Sequence, residues 1–294
     1  MEPRHGPLQI QLVLQKQRSW CRRRLREAKE LGKPLELPIP AVKPGSNAEC
    51  APVIQVKLES GEKAKVTIPV SQLTFSTVAV LVHEDGTEEI VRKCAHGETG
   101  VTLSVEHGAV VKIMEHNRAF TDISGHWAKD SIAFVTSREL HDGTSATTFR
   151  PDAGMTRGML AVVLHNLERN PASKGQAAFS DVQEDAWYAN AIRWAAEKEI
   201  VSGYENGRFD PDAQISREQL AVMLYRYAGL PVCYETALHF QNAEEVSAYA
   251  QTAVCWAVEH GILNGTVSGT LNPKGTATRA QVATMLMRYV EAIG

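Results

Sequence analysis

The sequence has no apolar run approaching the roughly 18 residues a membrane span needs, so no part of it is expected to cross a bilayer. Its five cysteines, Cys21, Cys50, Cys94, Cys233 and Cys255, form no C-x-x-C pair. An odd number cannot all pair within one chain, so a disulfide framework is not expected. Ten histidines include no H-E-x-x-H or comparable ligand grouping, and no nucleophile motif appears; neither a metal nor a cofactor is expected. Excess positive charge is confined to the start. Residues 1–45 hold ten Lys/Arg against four acids, whereas the rest holds 21 basic and 30 acidic side chains, a net of −9. Nucleic acid is therefore not an expected partner.

What the chain does have begins with a basic segment. Its 294 residues, 44% hydrophobic and 22% charged, suit a soluble chain of about two domains. A secretory leader runs from basic to apolar to small residues, but here the short apolar stretch Leu8–Leu14 precedes the basic cluster. Lys16–Leu31 is rich in helix formers and carries Arg22-Arg23-Arg24, which reads first as a solvated face. Pro34, Pro38, Pro40, Pro44 and Gly45 then predict an extended linker. From Val53 to Met114 the apolar period becomes two, as in Ala64, Val66, Ile68 and Val70, with Asp85-Gly86 as a hairpin signal. Six short strands predict a small antiparallel sandwich.

The remainder is a threefold repeat. Thr156-Arg157, Ser216-Arg217 and Thr278-Arg279 are separated by 60 and 62 residues. Fourteen residues before each arginine stands Gly143, Gly203 or Gly265; six before stands Pro151, Pro211 or Pro273; twenty-three before stands Phe134, Trp194 or Trp256. Each unit opens with Phe120-Thr-Asp122, Phe179-Ser-Asp181 or Phe240-Gln-Asn242, followed by Trp127, Trp187 or Tyr249. Every copy reads as helix, loop, helix. The second helix carries an apolar stripe: Leu160, Val163, Leu164, Leu167; Leu220, Met223, Leu224, Tyr227; Val282, Met285, Leu286, Tyr289. Two helices cannot bury such a stripe alone, so the copies should pack on one another. The expected divisions are 1–49 (basic helix and linker), 50–117 (strands), 118–174, 175–235 and 236–294 (repeats).

Ser216 with Gln219 and Thr278 with Gln281 are capping boxes; copy one has Met159 in place of the glutamine. The arginine is the residue capping does not explain. A cation at the first helical position opposes the helix dipole at a cost of about 0.3–1 kcal/mol. Its partner is either an internal aspartate, such as Asp122, Asp152, Asp181 or Asp212, or a bound anion held by the fork and the open N–H groups of the helix start. Trp127 and Trp187 are either plugs between repeats or flat faces for a sugar ring. No two carboxylates are arranged for glycoside cleavage, so an enzyme is not expected.

At these residues the sequence resembles the S-layer homology family. Phe120 to Trp127, Gly203 to Pro211 and Thr278-Arg-Ala-Gln281 are similar to that family's opening, loop and T-R-A-E motifs. The resemblance implies a mainly α, pseudo-threefold triplet preceded by a small β unit. It also implies non-covalent anchoring to secondary cell-wall polymer, a pyruvylated N-acetylmannosamine glycan held in grooves between repeats. The site residues it implies are Asp122, Trp127, Gly143 and Arg157; Asp181, Trp187, Gly203 and Arg217; and Gly265 and Arg279. Asn242, Tyr249 and the Leu271 loop depart from the motif, so the copy-three groove is expected to be weak. An extracellular, cell-wall location follows, with Met1 internal to a longer surface protein or the gene start placed late. The alternative is a self-assembly module contacting other surface-protein copies, with the arginines in internal ion pairs.

Overall fold

A computed structural model describes residues 9–11, 28, 33–56, 62–173, 175, 179–234, 238–266 and 268–293. All but one residue of the expected basic helix, Lys16–Leu31, lie outside these. The chain forms two compact units: residues 1–119 with 133–139 and 293–294, and residues 120–132 with 140–292.

In the first unit, period-two patterning produces two sheets. One has the order β1 (Gln9–Gln11), β3 (Val53–Gln55), β9 (Val110–Glu115), β5 (Thr77–Val82), β6 (Glu88–Ile90); the other has β2 (Leu35–Glu36), β4 (Lys63–Pro69), β8 (Gly100–Glu106), β7 (Ala95–His96). The longest pairing, β4 with β8, is antiparallel from Lys63↔Glu106 to Pro69↔Gly100. It buries Val66, Ile68, Val101 and Leu103 while Lys63, Lys65, Ser104 and Glu106 stay exposed. Asp85-Gly86 turns the β5–β6 hairpin as expected: Gly86 sits at φ +83°, and Asp85 accepts from the Thr87 N–H.

The proline-rich segment is not a free linker. β2 pairs parallel with β4, and Leu37 and Val42 donate to the carbonyls of Thr67 and Pro69. Leu35, Leu37 and Val42 are buried in the sandwich core. Prolines spaced two to four apart keep that backbone extended, which suits edge pairing as well as it suits a tether. The sheets are thus antiparallel except where β1 and β2 join them.

Ala133–Glu139, the later part of α1 (Lys129–Ser137) and its end, also belongs to this unit. Arg138 is fully buried, donating to the Cys94 carbonyl at 2.8 Å and to His96 Nε2 at 3.0 Å, over the Phe134 ring at 3.5 Å. The same Nε2 lies 3.0 Å from the Thr77 carbonyl, and burial together with Arg138 pulls the His96 imidazole down to about 4.

The second unit holds the repeats. After α1 come α2 (Arg157–Leu167), α3 (Ala189–Glu197), α4 (Arg217–Tyr227), α5 (Gln251–Glu259) and α6 (Arg279–Ile293). The stripes on α2, α4 and α6 are buried, apart from a half-buried Tyr227. The capping boxes form at Ser216/Gln219 and Thr278/Gln281, while Thr156 keeps only the bond from the Met159 N–H. Three buried residues just before the second helices close a ring. Met155 N–H donates to Ala277, Ala277 to Ile215, and Ile215 back to Met155, at 2.9–3.0 Å. That triangle marks a pseudo-threefold axis.

Candidate functional site

The Phe-x-Pro segment of each copy sits on the helix start of the preceding copy. Arg157 and Gly158 donate their backbone N–H groups to the carbonyls of Ala213 and Pro211; Arg217 and Glu218 donate to Gly275 and Pro273; Arg279 and Ala280 donate to Ala153 and Pro151. The N–H groups expected to be open for an anion are therefore occupied by the next copy's loop.

The arginine side chains follow the same path. Arg157 Nε donates to the Phe209 carbonyl at 2.9 Å and Nη2 to Ser202 at 3.4 Å. Arg217 reaches Leu271 and Asn264, both at 2.9 Å. Arg279 reaches Phe149 at 2.8 Å and Asp142 at 2.7 Å, closing the ring from copy three to copy one. The three residues are 6–7% exposed. In place of the expected internal aspartate or bound anion, each guanidinium meets backbone carbonyls, whose partial negative charge offsets the dipole cost. Among the described residues no partner is found for Nη1 of any of the three, and none of these atoms is sealed from solvent.

The aspartates act on the same loops. Asp122 accepts from the N–H groups of Phe149 and Arg150, and Asp181 from those of Phe209 and Asp210. Burial alone would push these carboxyls up, but the two N–H donors outweigh it and hold both below the usual carboxylate range. Asn242 accepts from Leu271 N–H, doing half the same task. The residue after Phe149, Phe209 and Leu271 is left-handed: Arg150 at φ +57°, Asp210 at +54° and Asn272 at +48°. Gly143, Gly203 and Gly265 have a packing reason too. A Cβ at Gly203 or Gly265 would stand 2.5 or 2.6 Å from the Phe179 or Phe240 ring, and one at Gly143 would collide with Phe120.

Trp127 and Trp187 are 64% and 63% exposed, and Tyr249, their counterpart, 61%, so none is a plug. Trp194 and Trp256 are core. The candidate residues of one copy do not make one groove. A cavity of about 780 Å³ is lined by Arg157 of copy one, Ser202, Gly203, Tyr204 and Arg226 of copy two, and Tyr249 of copy three.

Two residues in this region escaped the sequence reading. Arg226 donates to Ser202 Oγ at 3.0 Å; its position on the α4 stripe's flank reads as ordinary surface charge. Glu218, 5% exposed, accepts from Ser247 N–H, Ser247 Oγ and the Tyr249 hydroxyl, pinning the aromatic that lines the cavity. Burial and Glu218 push the Tyr249 phenol up to about 12. An acid beside each arginine would have signalled this latch, but Gly158 and Ala280 occupy that place in the other copies.

The S-layer homology domain model matches residues 119–158, 178–221 and 243–283. The chain carries three tandem S-layer homology repeats. It is 30% identical over 199 residues to an amylopullulanase of Thermoanaerobacterium thermosulfurigenes, covering 66% of this chain and 11% of that protein. It is 28% identical over 177 residues to the surface-layer 125 kDa protein of Lysinibacillus sphaericus, covering 59% and 15%. It is also 28% identical over 149 residues to a cellulosome-anchoring protein of Acetivibrio thermocellus, covering 49% and 33%. The chain thus spans a third or less of each of these relatives. Among the described residues no helix is long and apolar enough to cross a membrane.

Proposed function

We propose that this chain is a non-catalytic cell-surface anchoring module that binds secondary cell-wall polymer, a pyruvylated amino-sugar glycan, at the joints between its S-layer homology repeats. The similarity to surface-layer and cellulosome-anchoring proteins supports the anchoring role and a cell-wall location. The observation that carries the glycan reading is the cavity at the joint of copies one and two. It combines a guanidinium with an unpaired Nη1, the close backbone approach at Gly203, and the exposed, pinned ring of Tyr249. A cation, a flat face and a narrow backbone suit a sugar bearing a carboxylate. The amylopullulanase among these relatives is a protein of which this chain matches 11%, so its name carries no reaction over to this chain.

Because the arginines also hold the fold, binding is best tested elsewhere. Purified wall polymer should retain the protein, chemical removal of pyruvate should abolish retention, and Tyr249→Ala should weaken it. Equal retention on polymer with and without pyruvate would overturn the reading.

A further inference from the structure

The three joints are built alike but charged differently, and the difference lies at two positions. Immediately before the loop glycine stand Asp142, Ser202 and Asn264; nine residues after the arginine, on the second helix, stand Asn166, Arg226 and Arg288. At the joint of copies one and two, both guanidinium groups converge on Ser202. Arg157 Nη2 takes its carbonyl and Arg226 Nη1 its hydroxyl. Neither arginine forms an ion pair among the described residues, although Asp210 and Asp181 lie near enough to Arg157 to favour its charge. Two cations brought together on one residue repel unless an anion joins them. At the joint of copies three and one, Asn166 stands in the place of Arg226 and donates to the Leu140 carbonyl, and Arg279 takes the backbone carbonyl of an acidic residue, Asp142, so one guanidinium is present where the first joint has two.

From this we infer that Arg226 is a second anion-reading residue, making the joint of copies one and two an acidic-sugar site, and that Asp142 and Asn166 make the joint of copies three and one refuse the same ligand. The inference rests on the glycan reading above and adds to it which joint is used and which side chain decides. Arg157, Arg226 and Tyr249 line one cavity, so a sugar stacked on that ring would bring its acidic edge within reach of Arg157 Nη1 and the Arg226 fork together. The joint of copies two and three has the same pairing. Arg217 takes the Asn264 carbonyl, and Arg288 faces the Asn264 side-chain oxygen in the orientation that satisfies both groups.

The test is titration calorimetry of the full chain with a pyruvylated N-acetylmannosamine oligosaccharide, at several salt concentrations. On an Arg288→Gln background, which removes the like pairing at the joint of copies two and three, Arg226→Gln should weaken binding about tenfold or more, the loss expected of one charge-assisted contact, and flatten the salt dependence. Arg226→Lys should keep the salt dependence while losing part of the affinity, since a point charge cannot replace the fork. Asp142→Ser combined with Asn166→Arg should raise the number of bound oligosaccharides by one. Binding by Arg226→Gln within twofold of its Arg288→Gln background, with the parent still rejecting the depyruvylated sugar, would overturn this inference and leave the anchoring reading intact. Equal binding of both sugars by the parent would overturn the reading beneath it.

Discussion

The peptide group joining Phe149 to Arg150 is held at both ends: Asp122 takes its N–H, and Arg279, from the other end of the triplet, takes its carbonyl. A carboxylate and a guanidinium that never touch are thereby joined through a polarised amide, and the same holds for Asp181, Phe209 and Arg157. The bracket also stabilises the left-handed residue within it, a conformation that costs a non-glycine side chain roughly 1–2 kcal/mol. Arg279→Gln should therefore lower stability by about 1–3 kcal/mol, because the buried Phe149 carbonyl and the part-buried Asp142 carbonyl lose their donors, a loss readable as a drop in urea midpoint. Arg279→Lys should recover little of it, since a lysine cannot fork across two acceptors. The residues themselves were legible in the sequence, down to the arginine that capping leaves unexplained. Their partners were not, because each arginine serves a loop 52, 54 or 130 residues away, and a repeat period records equivalence between copies, not which copy touches which.

Among the elements, the helices came through most faithfully. The stripes on α2, α4 and α6 and the two complete capping boxes stand where the 3.6-residue period and the S/T-x-x-Q pattern put them. The core strands β4, β5, β8 and β9 were equally plain from alternation. The two-residue β2 was not. Two residues carry no period, and a proline-rich stretch looks alike whether it dangles or lies against an edge. Its contribution is nonetheless substantial, since Leu35, Leu37 and Val42 are each at most 6% exposed. Removing residues 33–45 should uncover that side of the sandwich, giving raised binding of a hydrophobic dye and loss of slow-exchanging amides from β4. A variant that keeps the residues but carries Val42→Ala should lose about 1–3 kcal/mol and remain folded.

At the scale of the whole molecule, each unit holds a histidine whose charged form its surroundings disfavour. In the sandwich unit it is His96, pulled down to about 4 by burial and Arg138. In the repeat unit it is His141, pushed well below the usual imidazole value by burial and by Arg279, with neither ring nitrogen bonded among the described residues. Unfolded histidine binds its proton near pH 6.5, so the unfolded chain takes up protons first as pH falls. Stability should thus be full above about pH 6.5 and decline toward pH 4, by about 3 kcal/mol for His96, with Asp122 and Asp181 adding their own loss below that. Urea midpoints between pH 7.5 and 4 read this out. His141→Leu, the residue that Leu263 supplies in copy three, should blunt the decline in the repeat unit alone. Finally, the hydrogen-bond triangle of Met155, Ala277 and Ile215 has no vacant corner. Duplicating a single repeat would leave the newcomer nowhere to insert, so such a protein can lengthen its anchor only by whole triplets. Within one triplet the joints are free to diverge separately, as Asp142, Ser202 and Asn264 already do on a single closed scaffold.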